Sequence, residues 1–186
     1  MTKKSKRVAV YIDGSNLYFK LRELKFSQLN KFNYRGLASW LARKREVISY
    51  RYYVGVVRAQ ANNAKGQELR KEQQRLFAHL TSPAQGFIVK QGYLMGSDGT
   101  YHEKGVDVKI ATDLLVGAYD DIYDVAIILS SDTDLIPAIQ KIKHLGKHVE
   151  YVGFAHRPSL AMQKYTTLSR LMLKEELKQF STKPSP

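Results

Sequence analysis

Asp132 and Asp134 stand directly after five apolar residues, 125–129 (VAIIL), and directly before a helical pattern with Leu135, Ile136, Ile139 and Ile142 on one side. The apolar run is short and rich in β-branched residues, which predicts a strand buried on both faces, as in a parallel sheet. Asp13 repeats the arrangement after residues 8–12 (VAVYI), and Asp107 falls at a helix start. In open α/β sheets the strand ends and the starts of the following helices share one edge, where ligands are held. A helix cap accounts for one such Asp, but not for the recurrence at two strands. Carboxylates gathered at one edge repel each other unless protonated or neutralised by cations. Oxygen ligands with no Cys and no paired-His motif favour Mg²⁺ or Mn²⁺ over Zn²⁺.

Other chemistry competes poorly. Asp113 lies six residues after Asp107, hence about 9 Å further along a helix and about 240° around it. The two cannot ligate one ion from that helix, and Asp113 is expected to partner a backbone or basic group instead. Ser15, Ser130 and Ser131 lack a fixed His, because the five histidines (79, 102, 144, 148, 156) are scattered. His144 and His148 are separated by Gly146 and an expected strand start, which argues against a metal pair. Neither a Walker-type glycine loop nor a dinucleotide glycine fingerprint is present.

The elements that must position these acids follow in order. Strands are predicted over 8–12, 47–57, 87–94, 125–129 and 148–154, about five in all, with the first and fourth expected as neighbours across the switch point. The pattern predicts helices over 17–26, with Gly14 permitting a tight turn and Ser15 or Asn16 as cap, and over 34–45. In the second, Arg43-Lys44-Arg45 would meet the helix dipole and are open to phosphate contact. Residues 59–80 predict a helix with Leu69, Leu76, Phe77 and Leu80 inward and Gln67, Arg70, Lys71, Gln74 and Arg75 on a wet basic face. A small hairpin is expected to turn at 96–99 and return through Tyr101. The helix over 107–119 would place Val108, Ala111, Leu115 and Ala118 on one face, and 159–180 reads as mostly helical. Alternating strands and helices define an α/β, three-layer (Rossmann-like) domain with a mostly parallel central sheet. Its expected limits are a basic arm over 1–7, a single domain over 8–180 and a disordered tail over 181–186.

The net charge is +13, unevenly spread. Residues 1–97 carry 19 of the 30 Lys and Arg and 5 of the 17 acids, whereas 98–134 carry 9 acids and only Lys104 and Lys109. A basic body around an acidic centre suits a polyanion binder whose working site also holds cations. No apolar run approaches the roughly 20 residues of a membrane span, the start MTKKSKR does not read as a secretory signal, and the absence of Cys fits a cytoplasmic location.

Three spaced stretches, VYIDGSNLY, EKGVDVKIATDLL and ILSSDTDLIPAI, with GFIVKQG before the second, resemble the NYN domain, a branch of the PIN-like nuclease superfamily. The resemblance runs from about residue 8 to residue 154. It implies a PIN-like fold, metal-dependent ribonuclease chemistry with Mg²⁺ or Mn²⁺, and RNA, expected single-stranded, as partner. No membrane partner is expected, and formation of a homo-oligomer is left open. The family's acidic positions fall on Asp13, Asp107, Asp132 and Asp134, with Asn16 as a polar companion. Ser131 stands where many members carry Gly, which stiffens that loop. Substrate contacts are expected from Lys104, Ser15 and Ser131, with Lys20, Arg22 and Arg58 as further cations and Tyr18, Tyr52, Tyr53 and Tyr101 as stacking candidates. Two other classes compete: a non-catalytic RNA-binding or regulatory module with a metal-holding acidic pocket, and a phosphatase. The aspartyl-nucleophile phosphatases need a Thr four residues after the first Asp, where this chain has Ile136.

Overall fold

The fold is given by a computed structural model that describes residues 5–57, 63–97 and 100–181, with backbone alone for 93–97 and 100–104. Seven strands form one sheet: β1 (Val8–Asp13), β2 (Val47–Val56), β3 (Ile88–Ser97), β4 (Thr100–Lys104), β5 (Val125–Leu129), β6 (His148–Phe154) and β7 (Leu168–Met172). Their spatial order is β4-β3-β2-β1-β5-β6-β7. Six strands run parallel, and β4 closes one edge antiparallel to β3. The helices are α1 (Gly14–Glu23), α2 (Tyr34–Ala42), α3 (Ala64–Thr81), α4 (Val106–Tyr119), α5 (Ile136–His144), α6 (Leu160–Tyr165) and α7 (Lys174–Leu177). None of them, among the described residues, is long and apolar enough to cross a membrane.

Period-two alternation assigns the layers. Val8, Val10 and Ile12 face a core shared with α1, α2, Leu80 of α3 and Leu177 of α7, whereas Ala9 and Tyr11 face a second core shared with α4, α5 and Met162 of α6. All five residues of β5 are buried, so it contributes to both cores. Fully burying a Val, Leu or Ile is worth about 1.5–3 kcal/mol, against about 1 kcal/mol for one helix cap. Packing of Val125, Ile127, Ile128 and Leu129 therefore decides where the strand lies, and the acids follow from it.

Several sequence expectations are corrected. The stretch 159–180 is not mostly helical: β7 lies between the short α6 and α7 and pairs parallel with β6. On β7, Met172 is buried while Arg170 stacks 3.5 Å from the Trp40 ring centroid, so an arginine covers what an apolar residue would normally cover. Helix α2 stops at Ala42 because Arg43 and Lys44 adopt positive φ, and Arg45 forks the Glu150 carboxylate at 2.6 and 2.8 Å. On α4 the inward line is Val106, Ile110, Leu114 and Ala118, with Ala111 and Leu115 at its flank, and Val108, two residues or about 200° from Val106, is 62% exposed. Leu69 of α3 is also exposed rather than inward. Residues Asp98 and Gly99 of the expected turn lie outside the described residues, but β3 and β4 pair as the hairpin requires.

At the amino ends of the two central strands, Arg7 grips Asp124. Its backbone N–H donates to Asp124 Oδ2 at 2.8 Å, and its guanidinium donates to both carboxylate oxygens. Asp121 and Lys147 extend the network. The hydrogen bonds from Arg7 pull the Asp124 carboxyl down to about 2, below the roughly 3.9 of an unfolded Asp. A depressed carboxyl stabilises the fold above its unfolded value and loses that contribution as pH falls through the folded one. Asp124→Asn should therefore lower the melting temperature at pH 6, with the gap to wild type closing between about pH 4 and pH 2. Thermal melts across that range check it, and a gap that stays constant with pH would refute the linkage.

Candidate active site

Strands β1 and β5 are neighbours, with Ile12 opposite Leu129, so Asp13 and Ser130 emerge side by side at the carboxyl edge. Chain connections run outward from this pair in both directions, which makes it the switch point of the sheet. Asp13 ends β1 and caps α1: its Oδ1 accepts the Asn16 N–H at 3.0 Å and its Oδ2 accepts the Ser130 hydroxyl at 2.9 Å. Neither Ser15 nor Asn16 supplies the cap. Ser130, fully buried, also accepts the Asp132 N–H at 3.1 Å. Asp132 in turn caps the short 3₁₀ turn Thr133–Leu135 through its Oδ1, which accepts the Asp134 N–H at 2.9 Å. From the facing side, Asp107 sits in the first turn of α4, entered through Gly105 at φ +75.

These groups wall one cleft of about 480 Å³, lined by Asp13, Ser15, Asn16, Phe19, Val106, Asp107, Ser131 and Asp132. Asp13, Asp107 and Asp132 thus share a cavity, as do Ser15, Ser131 and Asn16. Asp134 is exposed and stands outside that wall. One oxygen of Asp132 and both of Asp107 carry no hydrogen bond among the described residues, and the buried Asn16 Oδ1 has none either. Among those residues, no group of three His, Cys, Asp or Glu stands ready to hold one ion unaided.

Gly14 serves close approach rather than a tight turn. A Cβ there would lie 2.3 Å from Tyr52 Cε1 and 2.7 Å from the Tyr53 carbonyl oxygen, so only glycine lets α1 start against β2. Tyr52 and Tyr53 are buried and cannot stack on a base; Tyr18 is 40% exposed. Lys20 pairs with Glu23 at 3.6 Å. Arg58 lies outside the described residues, as do the side chains of Tyr101 and Lys104. Asp113 is held away from the cleft, receiving the Tyr53 hydroxyl at 2.8 Å, Arg51 at 3.0 Å and Lys90 at 3.6 Å. Burial, then that hydrogen bond, pushes the Tyr53 hydroxyl above its ordinary range, so it remains a donor. Ser130 is the residue the sequence offered only as a failed nucleophile; no pattern along the chain marks it, and its place beside Asp13 follows from the pairing of β1 with β5 in the fold.

An acid-lined cleft thus lies at the switch point of a seven-strand sheet, six of its strands parallel, in a three-layer α/β domain. The chain belongs to the NYN domain family, whose model matches residues 7–169. That membership supports a nuclease-type function with nucleic acid as the substrate class. A Vibrio parahaemolyticus protein of unknown function has the same fold, with TM-score 0.61 and 20% identity over 92% of this chain and 96% of that one. A bacteriophage T5 flap endonuclease, solved with DNA and metal ions, aligns with TM-score 0.39 and 15% identity over 68% of this chain and 50% of its own. No curated protein matches the chain.

Replacing Ser130 by Ala takes the acceptor from the half-buried Asp132 N–H and one donor from Asp13. The expected loss is about 1–3 kcal/mol of stability, read as a lower urea midpoint with unchanged slope. A midpoint equal to wild type would mean that the bridge carries nothing.

Proposed function

We propose that the chain is a divalent-metal-dependent ribonuclease acting on single-stranded RNA at the Asp13–Asp107–Asp132 cleft. The observation that carries this reading is one cleft walled by Asp13, Asn16, Asp107 and Asp132, in which Asn16 Oδ1, Asp107 and the second oxygen of Asp132 have no hydrogen-bond donor among the described residues. Uncharged protein surfaces do not bury an acceptor beside three carboxylates without something positive opposite it. The donors are all hard oxygens, which fits Mg²⁺ or Mn²⁺. Mg²⁺ keeps several of its waters and binds through one or two carboxylates, so the lack of a closed three-ligand group is what a hydrated ion would leave.

Held there, the ion would supply the positive charge that makes water a nucleophile at neutral pH and offsets the charge developing on the phosphate. The remaining work falls to the chain. Asp13 is fixed by two donors and presents a carboxylate that cannot swing away. Asp107 and Asp132 face each other across the cleft as ligands, and Asp134, at the rim, steers water or an outer-sphere contact. The hydroxyls of Ser15 and Ser131 line the cleft and orient non-bridging phosphate oxygens. Lys104 follows from its sequence position as a phosphate contact, at the end of β4 and two residues before α4. Exposed Arg70, Lys71 and Arg75 on α3, with Lys25, Arg43 and Lys44, give the chain a basic exterior for the RNA backbone.

A second reading has the same metal-holding acidic pocket in a non-catalytic RNA-binding or regulatory protein, whose RNA affinity the basic exterior would supply equally well. Asp132→Asn separates the two. As a nuclease, the wild type cuts single-stranded RNA in Mg²⁺ or Mn²⁺; the variant should lose at least a hundredfold in rate and keep its RNA affinity in a chelator, because binding energy comes from distant cations. Failure of both proteins to cut any of several RNAs would establish the binding reading. Equal cutting by both, purified identically, would expose a contaminant. Affinity should also fall with salt, with a log–log slope near −0.7 per phosphate contact. A slope of zero in a filter-binding series would remove the polyanion role.

A further inference from the structure

Beside the acidic cleft lies a second recess that the proposed chemistry does not use. It measures about 450 Å³ and opens between α1 and α3 over the carboxyl half of β2. That volume falls within the range of small-molecule sites, about 300–1,000 Å³. Tyr18 and Phe19 form one wall, Leu69 and Leu76 the other. Arg22 and Glu72 stand among the lining groups, both exposed. Phe19 is 64% exposed, and its ring meets that of Tyr18 edge-to-face at 5.6 Å. Two successive aromatic side chains standing in water on a helix otherwise buried through Leu17 and Leu21 contribute little to the core. Their flat faces are what a heterocycle stacks on.

The recess and the cleft adjoin each other across α1. Ser15 and Phe19 line both, so a molecule in one touches the wall of the other. We propose that this recess receives one unpaired base of the RNA strand, that of a nucleotide adjoining the phosphate in the acidic cleft. This rests on the ribonuclease reading. A base presents a flat apolar face and a polar edge, and the recess answers both: aromatic and aliphatic walls for the face, with the Arg22 guanidinium as donor and the Glu72 carboxylate as acceptor for the edge. A lipid chain or an apolar peptide side chain would make no use of that arginine and that carboxylate, which a base edge engages. A base inside the recess cannot be paired at the same time, which ties single-strandedness to the shape of the protein rather than to its charge.

The test uses the whole chain in excess chelator, where no cleavage occurs, so it stands apart from the nuclease reading. AMP and ribose 5-phosphate are titrated separately into ¹⁵N-labelled protein. AMP should shift amides of α1, α3 and the second half of β2, and ribose 5-phosphate should leave those on α3 unmoved. Leu69→Trp, on an exposed helix position, fills the recess, and Phe19→Ala removes a stacking face. Each should weaken AMP binding about tenfold, with circular dichroism unchanged from wild type. Equal binding of the two ligands, shifts confined to the acidic edge, or variants that bind AMP like wild type would each overturn the proposal. A pocket that passes while no RNA is ever cut leaves base recognition standing and removes only the enzyme. Cleavage that persists with AMP binding absent does the reverse.

Discussion

The carboxyl ends of β1 and β5 are joined by one hydroxyl group. Ser130 donates to Asp13 and accepts from the Asp132 backbone, so the two acids from the two strands are set by a single buried atom. The bond forms only when Ile12 lies opposite Leu129, and a slip of one residue would move every side chain of β5 to the other face of the sheet. At the opposite ends of the same strands, Arg7 holds Asp124. The central pair is therefore pinned at both ends, and the cleft inherits its geometry from that register.

Five of the nine acids over 98–134 fall into two groups. Asp113, Asp121 and Asp124 are satisfied by Arg51 and Lys90, by Lys147 and Arg7, and by Arg7 respectively. Their charge is taken up within the fold. Asp107 and Asp132 keep oxygens with no donor among the described residues, and both line the cleft. A cluster of like charge survives in a protein of net charge +13 because its neighbours in sequence have been neutralised elsewhere.

Strands β1 and β5 were legible because burial on both faces leaves an unbroken apolar run, and the acids at their ends were legible with them. Strand β7 was not. Its five residues, LSRLM, bury one end while an arginine lies over Trp40, so no apolar alternation separates it from the short helices on either side. The phase of α4 was misread because apolar residues occur almost all round it: lines through Val108 and through Val106 both look hydrophobic, and only packing on the sheet selects the second. Ser130 was opaque for a different reason. Its partner is 117 residues away, and a hydroxyl carries no pattern along the chain. Tyr52 and Tyr53 show the limit of composition: adjacent in a strand, they enter the two separate cores and neither reaches solvent.

Gly14 gives α1 a fixed origin. With no room for even a methyl group between it and Tyr52, the first residue of the helix is bolted to β2, while the helix beyond it forms the partition between two hollows. Leu17 and Leu21, both fully buried, seat the rest of the helix on the same core, so one wall serves two hollows and a change of side chain at Ser15 or Phe19 reshapes both at once.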